Sequence, residues 1–330
     1  MSASSLSTAI GTYGYIATFS LGLIGHSCSL WTFSQRRLRS TSTTVLFLTI
    51  TIFDMLYLFM SLHDFFLINL GLPQLSLYYI PLCRFRTFII NFVQTISPWL
   101  LVFIAFDRVI RARLPHRTKQ ICRKKNIVIV LLVAISCAVA FNSHVLQPSF
   151  ATAFPFNRII CGPLRTNLTD YGIFYYFTWS ALQIWINILV PALLMIACLI
   201  AVYRKVRNVA LVRRNQQLQK QMLLLMLSKV ILFLICTLPY GIYRMFSIYS
   251  SFQQNTTEYF TFLIVTAILT IFLNANFSLA FYIHCLTSTL FRQTFFSTIK
   301  NCIRRRRRRR RRQATVQPVV YTIASIQQFA

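Results

Sequence analysis

Few residues of this 330-residue chain carry side chains suited to acid-base or metal chemistry: five Asp and Glu and five His, against 34 Lys and Arg. Two places stand out. Asp107 and Arg108 adjoin each other after the apolar run 91–106 and before a basic run, at a step from hydrocarbon to water. An acid and a base side by side at such a boundary can neutralise each other until something competes for one of them; a plain stop-transfer charge pair is the alternative. Asp54 sits in LTITIFDMLYLF among mostly apolar neighbours and needs a partner or water, for which Ser97 and Asn276 are candidates. Ionisable residues at membrane depth are expensive, so a functional role is the default reading for them. A hydrated cavity holding a cation and a protonated carboxyl bonded to a neighbour would each account for Asp54. Hydrolysis would need paired carboxylates or clustered His. The His are scattered and no Cys spacing resembles a zinc site, so neither an enzyme nor a metal centre is expected.

The elements that must carry these residues follow from composition. The chain is 56% hydrophobic and only 12% charged, where soluble domains average roughly 25% charged. A net charge of +29 would ordinarily point to nucleic acid. Here the basic residues separate long apolar runs, so no nucleic-acid partner is expected. Seven windows long enough to span a bilayer lie near 12–34, 43–68, 83–107, 127–147, 173–203, 221–250 and 259–285. The first has its positive charges behind it, at Arg36, Arg37 and Arg39, which reads as a signal anchor rather than a cleaved leader. The expected organisation is an extracellular N-terminus at 1–11, a seven-span domain at 12–285, an amphipathic cytoplasmic helix at 286–303 and a basic disordered tail at 304–330.

Lys and Arg gather on cytoplasmic loops, and 28 of the 34 fall on one side of this arrangement. That places the N-terminus outside and the chain in the plasma membrane. The glycosylation sequons at Asn167 and Asn255 fall on the outer side. Cys83 and Cys161 are the two cysteines expected at the oxidising face, where a disulfide would pin the loop 148–172 onto the third span. Pro98, Pro191 and Pro239 lie inside spans, where each frees a carbonyl that neighbours must satisfy. In the outer half, Asn91 and Gln94 on the third span, Gln183 and Asn187 one turn apart on the fifth, and Arg244 on the sixth would line a polar pocket.

The register of these features resembles the rhodopsin-like G-protein-coupled receptors. Cys83 precedes Arg108 by 25 residues and Pro115 follows it by seven, the family's spacing about its Asp/Glu-Arg-Tyr motif. Cys236-Thr237-Leu238-Pro239 resembles the sixth-helix Cys-Trp-x-Pro motif, Pro191 the fifth-helix proline, and Ala280-Phe281-Tyr282-Ile283-His284 stands in place of Asn-Pro-x-x-Tyr. Asp54 matches the second-helix aspartate of the family's sodium pocket. The resemblance implies an all-α fold, a seven-transmembrane helix bundle with a short amphipathic eighth helix. It also implies a switch built from Asp107, Arg108, Arg111, Thr237, Pro239 and His284, a sodium ion near Asp54, Ser97 and Asn276, and a heterotrimeric G protein as partner. The chain departs from the pattern at Val109, His26, Thr237, Ala280, His284, Leu199 and Gln219. Ile90 and Asn274 replace the residues typical of amine receptors and opsins. The resemblance is strongest to peptide receptors, including those for FMRFamide-like neuropeptides, and implies an extracellular peptide ligand.

Beyond the seventh span, Leu290, Phe291, Phe295, Phe296 and Ile299 recur at helical spacing, as in a helix lying on the inner leaflet. Cys302 is a palmitoylation candidate, and the nine arginines Arg304–Arg312 would attract anionic lipid. A seven-helix transporter or channel is the rival class. It should show inverted repeats or paired broken helices, and none is evident.

Overall fold

In a computed structural model the described residues are 3–35, 42–66, 76–114, 116–153, 159–163, 169–208, 213–249, 257–289, 291–300 and 302–304. Seven helices are long and apolar enough to cross a membrane: Ser5–Phe33, Thr44–Leu62, Ile80–Arg113, Lys124–Leu146, Asp170–Lys205, Leu227–Ser247 and Glu258–Ser278. They are called the first to seventh spans below. The third is 67% buried in its most apolar stretch while the fourth is 17%, so the third is the hub. The exposed residues of the fourth include Val128, Ile129, Val130, Leu132 and Val133, aliphatic side chains that suit lipid. The core runs between the first three spans and the seventh through Leu46, Leu58, Val93, Ile96 and Leu100.

Small residues let the first span approach closely. A Cβ on Gly22 would stand 2.3 Å from Leu58 Cδ1, and one on Gly25 would stand 3.1 Å from Phe281 Cβ.

The fifth and seventh spans depart from regular α-helix where a backbone carbonyl loses its usual partner. In the fifth, Pro191 cannot donate to the carbonyl of Asn187, and the preceding stretch Trp185–Leu189 widens into π-helix. Trp99 Nε1 of the third span donates to the nearby Ile186 carbonyl at 3.2 Å. The sixth runs unbroken within Arg213–Tyr249 despite Pro239. The seventh breaks after Ser278 and resumes as Ala280–Thr287 without any proline. There His26 Nε2 of the first span takes the Phe277 carbonyl at 2.6 Å, and Ser278 Oγ takes the Asn274 carbonyl at 2.6 Å. With Phe277 O engaged, the backbone bond from Phe281 is not formed. A side chain inserted into the ladder is a sufficient cause of a kink.

The fold is the expected all-α bundle, with one short hairpin in the loop before the fifth span. Ala151–Ala153 and Ile159–Cys161 pair antiparallel, with Ala151 opposite Cys161. The reason is the tether: Cys161 is disulfide-bonded to Cys83. Arg84 Nη2 holds the hairpin's other strand through the carbonyls of Pro148 and Ala151, at 2.6 and 3.0 Å. Gly162, at φ 138, makes the turn away from Cys161 in a backbone region that favours glycine.

Past the seventh span, Ser288 Oγ accepts the Phe291 N–H at 3.2 Å and caps a helix over residues 291–300. Phe291 packs on Phe33, Phe281 and His284, while Arg292, Phe296 and Lys300 stay exposed. Asn167, Asn255, Pro115, Gln219, Leu290 and Arg305–Arg312 bear on the sequence reading but lie outside the residues or side chains described.

Candidate functional site

Three sites emerge along the bundle. Nearest the disulfide, a cavity is lined by Gln94 and Pro98 of the third span, Ser180, Gln183 and Asn187 of the fifth, Thr237, Tyr240 and Arg244 of the sixth, and Asn276 of the seventh. The space among these side chains is narrow and partly open to solvent, about 520 Å³ in all. Such a slot admits the end of a chain, not a folded ligand. Its polar groups are incompletely used. Both amide atoms of Gln183 and the Oδ1 of Asn187 are buried without a hydrogen-bond partner. Buried polar groups are nearly always paired, so these are groups with spare capacity facing a hole. Arg244 donates to the hydroxyls of Tyr240 and Tyr175, and no carboxylate pairs with it among the described residues.

Four of the five residues assigned to the pocket from sequence therefore meet there: Gln94, Gln183, Asn187 and Arg244. Asn91 does not line it and is buried one turn away, its carbonyl accepting from Thr95 at 2.9 Å. Asn276 is a lining residue that the sequence reading had assigned elsewhere.

In the middle of the bundle Asp54 is 3% exposed and accepts a 3.4 Å hydrogen bond from Ser97. No hydrogen bond joins it to Asn276. The cation nearest in influence is Lys229 of the sixth span, 5% exposed, whose charge acts on Asp54 and on His26 and His284. His284 is boxed by the rings of Phe33, Phe47 and Phe291. Sequence reading passed over Lys229 as a single basic residue within a span. The available signal was its isolation in the apolar run after Leu227.

At the end opposite the disulfide, the expected pairing of Asp107 with Arg108 does not form. Asp107 is instead clamped by Arg111, Nε to Oδ2 at 2.8 Å and Nη2 to Oδ1 at 3.1 Å. The cause is helix geometry: residues four apart share a face, whereas successive residues do not. Cys122, beyond the third span, donates its thiol to the same carboxylate, and burial together with the Asp107 charge pushes that thiol up to about 11. It stays protonated and unreactive at neutral pH. Arg108, only partly exposed, is left without a hydrogen-bonded acid. Thr237, two residues before Pro239, donates to the Phe233 carbonyl at 2.6 Å. Cys302 is exposed in the short helical stretch after residue 300. No group of three His, Cys, Asp or Glu that could hold a metal occurs among the described residues.

A seven-span bundle with a disulfide-tethered hairpin over a polar cavity, and a buried charge step at the far end, has the layout of a membrane receptor. Comparison with known proteins supplies the family. Residues 28–278 match the 7 transmembrane receptor (rhodopsin family), and the chain belongs to it. It is 24% identical over 257 residues to a tachykinin-like peptides receptor 86C of Drosophila melanogaster, covering 72% of this chain but 49% of that receptor. It is 26% identical to a chemerin-like receptor 2 of Mus musculus, covering 74% and 68% of the two chains. The neuromedin U receptor homolog nmur-2 of Caenorhabditis elegans is 23% identical, over 74% of this chain and 66% of its own. The chain thus spans about half the length of the Drosophila receptor.

Proposed function

We propose that this protein is a plasma-membrane receptor for an extracellular peptide and that it activates a heterotrimeric G protein. The N-terminus and the hairpin face outward and the basic loops face the cytosol, the orientation favoured by the distribution of Lys and Arg. The names of relatives such as the tachykinin-like peptides receptor and the neuromedin U receptor homolog support the ligand class.

The observation that carries the reading is the cavity with Arg244 at its rim and the unpaired amides of Gln183 and Asn187 below. A guanidinium with no acid partner, beside free amide donors and acceptors, suits a peptide end that carries a carboxylate and backbone polar groups. Agonist binding favours an arrangement in which the cytoplasmic half of the sixth span swings outward about Pro239, to an extent set by its differential affinity for the two arrangements. Arg108, not tied to Asp107, then meets the C-terminal end of a G-protein helix, whose free carbonyls attract a cation. The helix at residues 291–300 lies on the inner leaflet with the arginine run against anionic lipid.

The test is nucleotide exchange on G protein by membranes bearing the chain, across a library of peptides with free and amidated C-termini. Peptides with an acidic group near one end should be the agonists, and Arg244→Ala should weaken them roughly 10- to 100-fold, the worth of a hydrogen bond to a charged group. Equal potency on both proteins would remove Arg244 from recognition.

A further inference from the structure

Four spans each bury a titratable side chain, His26 on the first, Asp54 on the second, Lys229 on the sixth and His284 after the break in the seventh, each 5% exposed or less, and the charge of Lys229 acts on the other three. Family resemblance puts a sodium ion there, held by Asp54, Ser97 and Asn276. The residues present do not fit that ion. Ser97 does bond the carboxylate, but Asn276 is turned to the outer cavity and gives Asp54 no hydrogen bond. A cation placed beside Asp54 would also lie within the field of a second positive charge, that of Lys229.

Lys229 itself needs an anion. It stands ten residues before Pro239 on a span otherwise apolar at that depth, and an isolated buried ammonium is costly. Asp54 is the carboxylate whose field reaches it. The surroundings also offer acceptors for its three N–H groups. His26 Nε2 must be the protonated nitrogen, because its partner is the Phe277 carbonyl, which can only accept. That leaves His26 Nδ1 buried without a partner, and His284 Nδ1 is likewise unpartnered.

We infer that Lys229 is a resident cation: its ammonium, reaching from the sixth span toward Asp54, takes the place of a bound sodium ion, so that the charge of Asp54 is balanced from within the chain. Where the ion would be exchangeable, the lysine is covalently part of the sixth span. The balance of charge at the centre of the bundle is then tied to the position of that span and not to the salt outside.

The full-length protein in lipid nanodiscs is tested by its thermal midpoint in sodium chloride and in choline chloride at equal concentration. The wild type is expected to melt at the same temperature in both. Lys229→Gln should acquire a sodium-specific rise of several degrees, and Asp54→Asn/Lys229→Gln should lose that rise. The doubly neutralised protein should also melt above both single variants, since each single change leaves one charge buried alone. A sodium-specific rise in the wild type that Asp54→Asn abolishes would overturn the inference. So would a folded Lys229→Gln protein indifferent to sodium, or a double variant that melts below both singles. The wild-type comparison decides the matter even if a variant fails to fold.

Discussion

Asp107 and Arg108 are neighbours in sequence but point about 100° apart around their helix, while Arg111 lies one turn on and takes the carboxylate in a two-point clamp. That changes what Arg108 has to do. In the proposed mechanism it has no hydrogen bond to Asp107 to break before it can meet a partner, and the aspartate instead keeps Arg111 and the Cys122 thiol in place. Arg108→Ala should therefore abolish agonist-stimulated nucleotide exchange while surface expression, read by antibody on intact cells, stays near wild type. Exchange at wild-type level in that variant would take Arg108 out of the signalling contact. The identity of these residues as a functional step is legible from the charge boundary alone. Their pairing needed the 3.6-residue period applied to each candidate partner, and Arg111 was available to that rule.

At the scale of elements, the sequence announces every span because twenty apolar residues leave few alternatives. It also announces the disulfide, since two cysteines fall at one face. Long-range side-chain contacts are different. Nothing local shows that His26 will take the carbonyl of Phe277, 251 positions away, or that a helix without proline will therefore break at Leu279. The same holds for the influence of Lys229 on Asp54, which depends on the packing of the sixth span against the seventh. The hairpin, too, depends on Arg84, which looks like a loop charge until its two carbonyl partners are seen. The kink carries its own expectation. His26→Leu should free the Phe277 carbonyl to accept from Phe281 and so slow hydrogen exchange of the Phe281 amide. An unchanged exchange pattern at Phe281 would mean that the break has another cause.

At the scale of the whole molecule, the cavity near the disulfide, the buried charges at mid-depth and the Asp107 step all draw on the third span, and the first two also draw on the sixth. The third contributes Gln94, Ser97 and Asp107; the sixth contributes Arg244, Thr237 and Lys229. A ligand that draws Arg244 and the slot around it into a new arrangement acts on the same rigid rod that carries Lys229, about 22 Å further along at 1.5 Å per residue. In the proposed mechanism the coupling between these two sites runs through that one helix, biased by whatever contacts differ between its two positions. A transporter would use the bundle differently, with solute passing through the centre that Asp54 and Lys229 fill.

The central claim is that occupancy of the outer cavity drives nucleotide exchange at the far end. The most direct measurement is made on the purified chain in proteoliposomes with a heterotrimeric G protein on the cytoplasmic side, reading guanine-nucleotide exchange and solute flux together as a peptide with an acidic terminus is added. Saturable, peptide-dependent exchange without flux, lost in Arg108→Ala and shifted to higher peptide concentration in Arg244→Ala, is the predicted result. Peptide-dependent flux with no exchange on any heterotrimer would contradict it.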